Sequence, residues 1–272
     1  MIRRLFQVIK ANRTFFIAYN LLLLIGLYPL LTWDKLTVFL FINKHHHPFL
    51  DKFFYYITYL GDGITYGLLI IGLFFFKVPY KKLLIGIASF CAMSVIVQFL
   101  KRVIFYHHLR PIKFIELAEE AVHLHLVDNV EVLTHLSFPS GHAATIFAAA
   151  CFLFLISTRK SKEVLSLVSG ADVTELIRDT EFHSNPVNTV AFTTLLLSSI
   201  TINRSSLYSL FLLLIAVLVA YSRVYLCQHF YTDVYIGALI GGWTTFFVYA
   251  FWIDRPIPGW LAKTRLFNLL KV

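Results

Sequence analysis

Long apolar runs separated by short polar or basic stretches dominate the chain. Six of them could cross a membrane, and they are Phe15–Trp33, Ile64–Phe76, Leu83–Leu100, Ala143–Ser157, Leu207–Tyr221 and Val234–Trp252. A hydrocarbon core of roughly 30 Å requires about 20 apolar residues in a helix, so the second and fourth runs need flanking residues to complete them. The pattern predicts an all-α polytopic membrane protein, a six-helix transmembrane bundle that forms one domain over residues 1–272.

Basic residues lie beside several of these runs. Residues 1–14 place apolar side chains at helical spacing with Arg and Lys between them, which predicts an amphipathic helix lying on the membrane surface. With six spans, the basic clusters Arg3–Arg13, Lys77–Lys82, Arg159–Lys162 and Arg255–Arg265 all fall on one side, as the positive-inside rule requires of cytoplasmic segments. We therefore expect a plasma (inner) membrane protein with both termini in the cytoplasm.

Residues 160–203 do not fit this scheme easily, because a polar stretch is followed by the apolar run Val187–Ile202. If that run crossed the bilayer, His229 and Asp233 would lie on the opposite side from His142. We therefore interpret residues 160–203 as an atypical cytoplasmic insertion whose apolar part lies in the interface or re-enters the membrane.

The composition supports a membrane location, since 58% of residues are hydrophobic and only 14% are charged. A net charge of +9 could suggest nucleic acid, but the cations occur in short clusters beside apolar runs. Anionic lipid headgroups and a phosphorylated lipid substrate are the expected partners, and nucleic acid is not. The three cysteines show no paired spacing, which indicates free thiols.

Two short motifs carry candidate chemistry. Ser140, Gly141 and His142 follow Pro139 immediately before an apolar helix, and free N–H groups at a helix start bind anions. His229 and Asp233 are four residues apart, so they share a helix face and the carboxylate can orient the imidazole. A capped turn and a structural His–Asp pair are the corresponding alternatives, although an Asp at a membrane boundary beside an Arg and a His favours function.

Cations form the third element, with Lys101 and Arg110 after the third apolar run and Arg223 before His229. Lys supplies a point charge and Arg a bidentate fork, which are the donors that neutralise phosphate oxygens during phosphoryl transfer. Snorkelling at a helix end would explain Lys101 or Arg102, but it explains Arg110 less well.

Together these motifs resemble the type 2 phosphatidic acid phosphatase superfamily, the membrane lipid phosphate phosphatases. That family carries Lys-x6-Arg-Pro, Pro-Ser-Gly-His and Ser-Arg-x5-His-x3-Asp, and the last two motifs match here without change. The first departs from the pattern, because eight residues separate Lys101 from Arg110 and seven separate Arg102 from it. A small bulge must therefore bring one cation into reach, and we favour Lys101.

The resemblance implies hydrolysis of a lipid phosphate or diphosphate through a phosphohistidine at the extracytoplasmic face. By this resemblance His229 is the nucleophile, Asp233 orients it, and His142 is the acid and base. Lys101, Arg110, Arg223, Ser140 and Gly141 bind the phosphate oxygens. The scheme needs no metal and no cofactor, and the remaining histidines show no metal-ligand spacing.

Residues 112–136 are predicted to form a cover over the site on its outer side, where they could contact a headgroup. The candidate substrates are a prenyl diphosphate carrier, phosphatidylglycerol phosphate, phosphatidate and a lipid A phosphate. A phosphotransferase with a hydroxyl acceptor is an alternative within enzymes, and a non-catalytic membrane binder or transporter is an alternative outside them.

Overall fold

The computed structural model describes residues 2–118, 122–131, 133–170 and 186–256, and its regular structure is helical throughout this part of the chain. The α-helices are α1 (Ile2–Ala11), α2 (Arg13–Thr32), α3 (Lys35–Lys44), α4 (Pro48–Ile57), α5 (Gly63–Phe75), α6 (Tyr80–Phe99), α7 (Pro111–Leu117), α8 (Gly141–Gly170), α9 (Pro186–Tyr225) and α10 (Tyr231–Trp252). A 3₁₀ turn (Thr58–Gly61) joins α4 to α5, and a π-helical turn (Leu100–Ile104) extends α6. The all-α prediction is confirmed.

Four helical segments are long and apolar enough to cross a membrane. They are Arg13–Thr32, Tyr80–Ile104, Ser206–Tyr225 and Tyr231–Trp252. The pair Pro48–Gly61 and Gly63–Phe75 passes the same test jointly with a bend of 62°, and Gly141–Ser157 is a shorter apolar helix. The six predicted runs therefore lie in helices of a multi-pass membrane protein, while the count of six crossings stays a prediction.

The apolar part of the predicted insertion is helical and joins the following span. The run Val187–Ile202 continues without a break into the helix that ends at Tyr225, so α9 has 40 residues and a length of about 60 Å at 1.5 Å per residue. No turn divides this run from the span, and the cytoplasmic, interfacial or re-entrant location of the insertion stays a prediction. Residues 171–185 and the basic cluster beyond residue 256 lie outside the described residues.

Two short helices, α3 and α4, were not predicted, because neither is long enough to be a span. The Asp34 carboxylate caps α3 by accepting from the backbone N–H groups of Leu36 and Thr37 at 2.8 and 3.0 Å. The His47 ring caps α4, whose first helical residue is Pro48. Both helices pack against α9, near its junction with α10.

Helices α8 and α10 form the most extensive helix pair, and glycines bring them together. A Cβ atom added at Gly237 would lie 2.4 Å from the Ser140 carbonyl oxygen, and one at Gly241 would lie 2.0 Å from that of Ala144. Only glycine permits this approach, in the manner of small residues spaced by four in membrane helices. The Ser140 N–H also donates to the Asp233 carbonyl at 2.9 Å, so the starts of the two helices are joined directly.

Candidate active site

The turn between α9 and α10 sets Arg223 against His229. The backbone N–H groups of Gln228 and His229 both donate to the Arg223 carbonyl, at 2.9 and 3.0 Å. Cys227 adopts a left-handed conformation with φ 57°, which reverses the chain direction within this short turn. The five-residue gap between Arg223 and His229 therefore becomes a compact loop whose two ends are bonded to each other.

The His229 and Asp233 side chains form a buried pair, and each residue is only 2% exposed. Asp233 Oδ2 accepts from His229 Nδ1 at 3.3 Å, from the Phe230 N–H at 3.1 Å, and from the Ser137 hydroxyl in a short hydrogen bond. A proton on Nδ1 leaves Nε2 with a free lone pair. Burial lowers the pKa of His229 to about 3, because loss of water outweighs the attraction of Asp233 for the charged ring.

The segment before α8 contributes the second histidine. Helix α8 begins at Gly141, so the N–H groups of its first turn have no acceptor within the helix. Ser140 is fully buried, and its hydroxyl accepts a long 3.5 Å contact from the Ala143 N–H. A Cβ atom at Gly141 would meet nothing within 4 Å, which leaves open space beside this helix start. His142 is half-buried and lies within electrostatic range of His229.

Lys101 reaches the site from the π-helical turn. A π-helical turn holds more residues than an α-helical one and often occurs at functional sites. Lys101 is half-buried, and its charge interacts with those of Arg110, Arg223 and Asp233. Arg102 is exposed and donates from Nε to Gln98 Oε1 at 3.0 Å. Of the two cations considered for the first motif, Lys101 therefore lies in the charge cluster and Arg102 does not.

Arg110 is held by carbonyl groups on two sides. Its Nε donates to the His135 carbonyl at 3.0 Å, and its Nη1 donates to the Gln228 carbonyl and side-chain oxygens at 2.9 and 3.0 Å. Gln228 Nε2 in turn donates to the Glu131 carbonyl at 2.8 Å, which ties the predicted cover segment to the loop between α9 and α10. Burial lowers the pKa of Arg110 from its usual value, and the Asp233 charge opposes this shift.

Arg223 carries an unused donor. The residue is 7% exposed, and its Nη1 donates to Thr58 Oγ1 at 2.9 Å. Its Nε is one of two buried side-chain nitrogen or oxygen atoms, among the residues the structure describes, that have no hydrogen-bond partner. A buried N–H without an acceptor is costly, so this donor fits a site that binds an anion during function.

Three further residues at the site did not follow from the sequence motifs. Ser137 bonds to Asp233, Gln228 orients Arg110, and Thr58 bonds to Arg223. Ser137 and Gln228 lie next to motifs, at Pro-Ser-Gly-His and before His229, so position alone could have suggested them. Thr58 lies 165 residues from Arg223, and no local signal marks it.

The other histidines near the site have structural contacts. The His46 and His125 rings stack with centroids 3.8 Å apart, and His125 Nε2 bonds to Asp51 Oδ2 at 3.0 Å. The Asn43 side chain bonds to the His125 backbone on both sides, at 2.8 and 3.0 Å. This network attaches the predicted cover segment to α3 and α4. Within the described ranges, no group of three or more His, Cys, Asp or Glu side chains could hold a metal ion.

The buried His229–Asp233 pair thus lies within electrostatic range of Lys101, Arg110 and Arg223. The sequence profile of the PAP2 superfamily matches residues 82–256, well over half of the chain, and the protein belongs to this superfamily. The resemblance inferred from the motifs is thereby confirmed. Nothing among curated protein sequences matches the chain.

Two solved structures are similar to this fold. LpxE from Aquifex aeolicus has 26% sequence identity and a TM-score of 0.50, and the match covers 78% of this chain and 93% of LpxE. The first transmembrane PAP2-type phosphatidylglycerolphosphate phosphatase from Bacillus subtilis has 22% identity and a TM-score of 0.52, over 86% and 94% of the two chains. The second likeness shows the fold alone.

Family and fold together assign the general activity. The protein is a multi-pass membrane lipid phosphatase, a hydrolase that acts on phosphorylated lipids. The prediction of an enzyme, as opposed to a non-catalytic binder, is confirmed at this level.

Proposed function

We propose that the protein hydrolyses a lipid phosphate or diphosphate through a phosphohistidine at His229. The observation that carries this proposal is the unpartnered Arg223 Nε, which is buried in the last turn of α9, where the Arg223 carbonyl accepts from the His229 N–H. A phosphate oxygen bound there would satisfy the orphaned donor and would place phosphorus beside the imidazole. Lys101 and Arg110 add positive charge to the same cluster, which suits the charge that develops on the transferred group.

In the first step His229 Nε2 forms a bond to phosphorus while the bond from phosphorus to the leaving oxygen breaks. His142 then gives a proton to that oxygen, so the lipid departs as an alcohol or as a shorter phosphate. The His142 ring takes up this proton when the phosphate binds, because the negative charge of the substrate offsets the Arg223, Lys101 and Arg110 charges that disfavour a charged ring in the free site. Asp233 accepts from Nδ1 and stabilises the positive charge that the ring gains. The burial of His229 favours this role, because its low pKa keeps the ring neutral and nucleophilic near pH 7.

In the second step water attacks phosphorus, His142 takes a proton from that water, and the bond between phosphorus and nitrogen breaks. Ser140 and Gly141 support both steps through the start of α8, where free N–H groups and the helix dipole favour anions. Inorganic phosphate leaves, and the site returns to its starting protonation.

We place the reaction at the extracytoplasmic face of the plasma membrane, because the functional cations then lie opposite the basic clusters that mark the cytoplasmic side. The Aquifex and Bacillus structures guide the choice of substrates to test. The panel contains phosphatidylglycerol phosphate, phosphatidate, a prenyl diphosphate and a lipid A phosphate.

The decisive experiment combines phosphate release with trapping of the intermediate. Purified protein in detergent, with chelator present, is assayed on the panel. The reaction with ³²P-labelled substrate is then quenched in alkali, because phosphohistidine is stable in alkali and is hydrolysed in acid. Wild type should release phosphate and show a transient label. His229→Ala should lose about 10⁴-fold or more in turnover and show no label.

His142→Ala separates the two chemical steps. With p-nitrophenyl phosphate, whose leaving group needs no proton, this variant should accumulate labelled protein because water is no longer activated. Undiminished phosphate release by both histidine variants would sink the mechanism. A label that survives acid and is lost in alkali would assign the intermediate to another residue.

A further inference from the structure

Helices α4 and α5, which are jointly long and apolar enough to cross a membrane, are separated by a bend beside the site. Helix α4 ends at Ile57, the 3₁₀ turn Thr58–Gly61 follows, and α5 starts at Gly63 after a bend of 62°. Asp62 caps α5 by accepting from the Ile64 N–H at 3.3 Å, which satisfies part of the interrupted backbone. A break inside an apolar span leaves backbone groups unpaired, so it persists where it serves the protein interior.

Thr58 contacts the phosphate-binding machinery directly through this turn. Its residue exposure is 7%, and its Oγ1 accepts from Arg223 Nη1 at 2.9 Å. The Thr58 N–H already donates to carbonyls of α4, and Asp62 supplies the cap of α5. The Thr58 hydroxyl is therefore not required to form the turn. The hydrogen bond that it does make is the one with Arg223.

That bond determines which edge of the guanidinium is free. Arginine has five N–H groups in one plane, and binding at Nη1 leaves the edge formed by Nε and Nη2. Nε on this edge is the buried donor without a partner. The charge of Asp62, the residue that follows this turn, also attracts Arg223.

Gly61 brings the same turn against the second histidine. A Cβ atom added there would lie 2.9 Å from the His142 carbonyl oxygen, 3.0 Å from the His142 Cβ and 2.8 Å from Val219 Cγ1. The His142 carbonyl belongs to the first turn of α8, so the backbone there could make room only if the start of the helix moved. One turn thus contacts both Arg223 and His142.

We infer that the Thr58–Gly61 turn is a fourth part of the active site, in which Thr58 is the positioning residue that aims the Nε–Nη2 edge of Arg223 at the phosphate. The inference rests on the proposed function, because it assumes that Arg223 binds the transferred phosphate. It predicts that Thr58 acts through Arg223 and through no other residue.

The test compares Thr58→Val, which keeps the shape and removes the acceptor, with Thr58→Ser, which keeps the acceptor. Thr245→Val is the matched control, because Thr245 is also fully buried and its hydroxyl has no hydrogen-bond partner. The readouts are the dissociation constant of orthovanadate, the kcat and KM on the best substrate of the panel, and thermal unfolding followed by tryptophan fluorescence.

Thr58→Val should weaken orthovanadate binding and lower kcat/KM by about tenfold to 100-fold, the range for losing a hydrogen bond to a charged group. Thr58→Ser should stay within about threefold of wild type, and Thr245→Val should match wild type in binding. In an Arg223→Lys background, Thr58→Val should add less than about threefold, because the two residues act as one unit.

The outcomes separate the two proposals. If Arg223→Lys weakens orthovanadate binding at least tenfold while Thr58→Val does not, the positioning role is wrong and the proposed function stands. An equal loss from Thr58→Val in both backgrounds would make Thr58 merely structural. If wild type neither binds orthovanadate nor releases phosphate from the panel, the proposed function fails, and the inference fails with it.

Discussion

Replacing Ser137 with alanine removes one hydroxyl from the centre of the site. Ser137 is 1% exposed, and its Oγ gives Asp233 Oδ2 the shortest of the contacts made by that oxygen. The two other donors to Oδ2, Phe230 N–H and His229 Nδ1, lie at 3.1 and 3.3 Å. The hydroxyl is therefore one of three donors that restrain this carboxylate oxygen, and without it the carboxylate orients His229 less firmly.

A hydrogen bond to a charged group contributes about 1.5–3 kcal/mol. Part of that loss lowers the free energy of unfolding. The remainder raises the barrier to phosphoryl transfer, because His229 gains positive charge in the transition state and needs Asp233 in place. We expect kcat to fall about tenfold, which corresponds to about 1.4 kcal/mol of barrier. KM should change little, because the alanine leaves Lys101, Arg110 and Arg223 untouched.

The assay is steady-state phosphate release by purified Ser137→Ala protein, with thermal unfolding measured in the same detergent. Ser89→Ala is the control, since Ser89 is fully buried and donates only to the Ile85 carbonyl of its own helix at 2.7 Å. It should lose stability without losing kcat. Wild-type kcat in Ser137→Ala, or a rise in KM with kcat unchanged, would refute the role given to this hydroxyl.

Two other predictions concern helix packing and pH. Gly241→Ala should lower the free energy of unfolding by about 1–3 kcal/mol, or more, because its Cβ would lie 2.0 Å from the Ala144 oxygen. Gly67→Ala is the control, because a Cβ atom there meets nothing within 4 Å, and it should leave the melting temperature unchanged. Equal melting temperatures for the Gly241→Ala and Gly67→Ala variants in thermal unfolding would contradict this prediction. Since burial lowers the pKa of His229 to about 3, NMR of histidine-labelled protein should show a neutral His229 ring at pH 5. A titration midpoint near 6.5 would contradict this prediction, because it would show that Asp233 cancels the effect of burial.

Apolar length and periodicity predicted most of the helices, because a helix in a membrane satisfies its backbone internally whatever surrounds it. The run Phe15–Trp33 corresponds to α2, and Val234–Trp252 corresponds to most of α10. The same reasoning missed α3 and α4, which are short and depend on their caps and on packing. Nor did it show that Val187–Ile202 shares one helix with the following span, since periodicity does not show where a helix ends.

Some candidate site residues could be grouped from local sequence spacing, and others could not. His229 and Asp233 could be paired from the sequence, because a spacing of four residues on one helix brings side chains together locally. The cluster around them could be grouped only by counting spans and by resemblance to a family. The bulge expected between Lys101 and Arg110 corresponds to a π-helical turn, whose exact position the sequence did not indicate.

The sequence by itself determined the helical membrane class, the order of the motifs and the pairing of His229 with Asp233, because each depends on neighbours along the chain. Only the tertiary structure decided that Ser137 restrains Asp233 and that Thr58 holds Arg223. Those contacts join segments 96 and 165 residues apart. They exist because helices meet at distances set by packing, as at Gly241, and a distance between helices is a property of the assembled bundle and of no single segment.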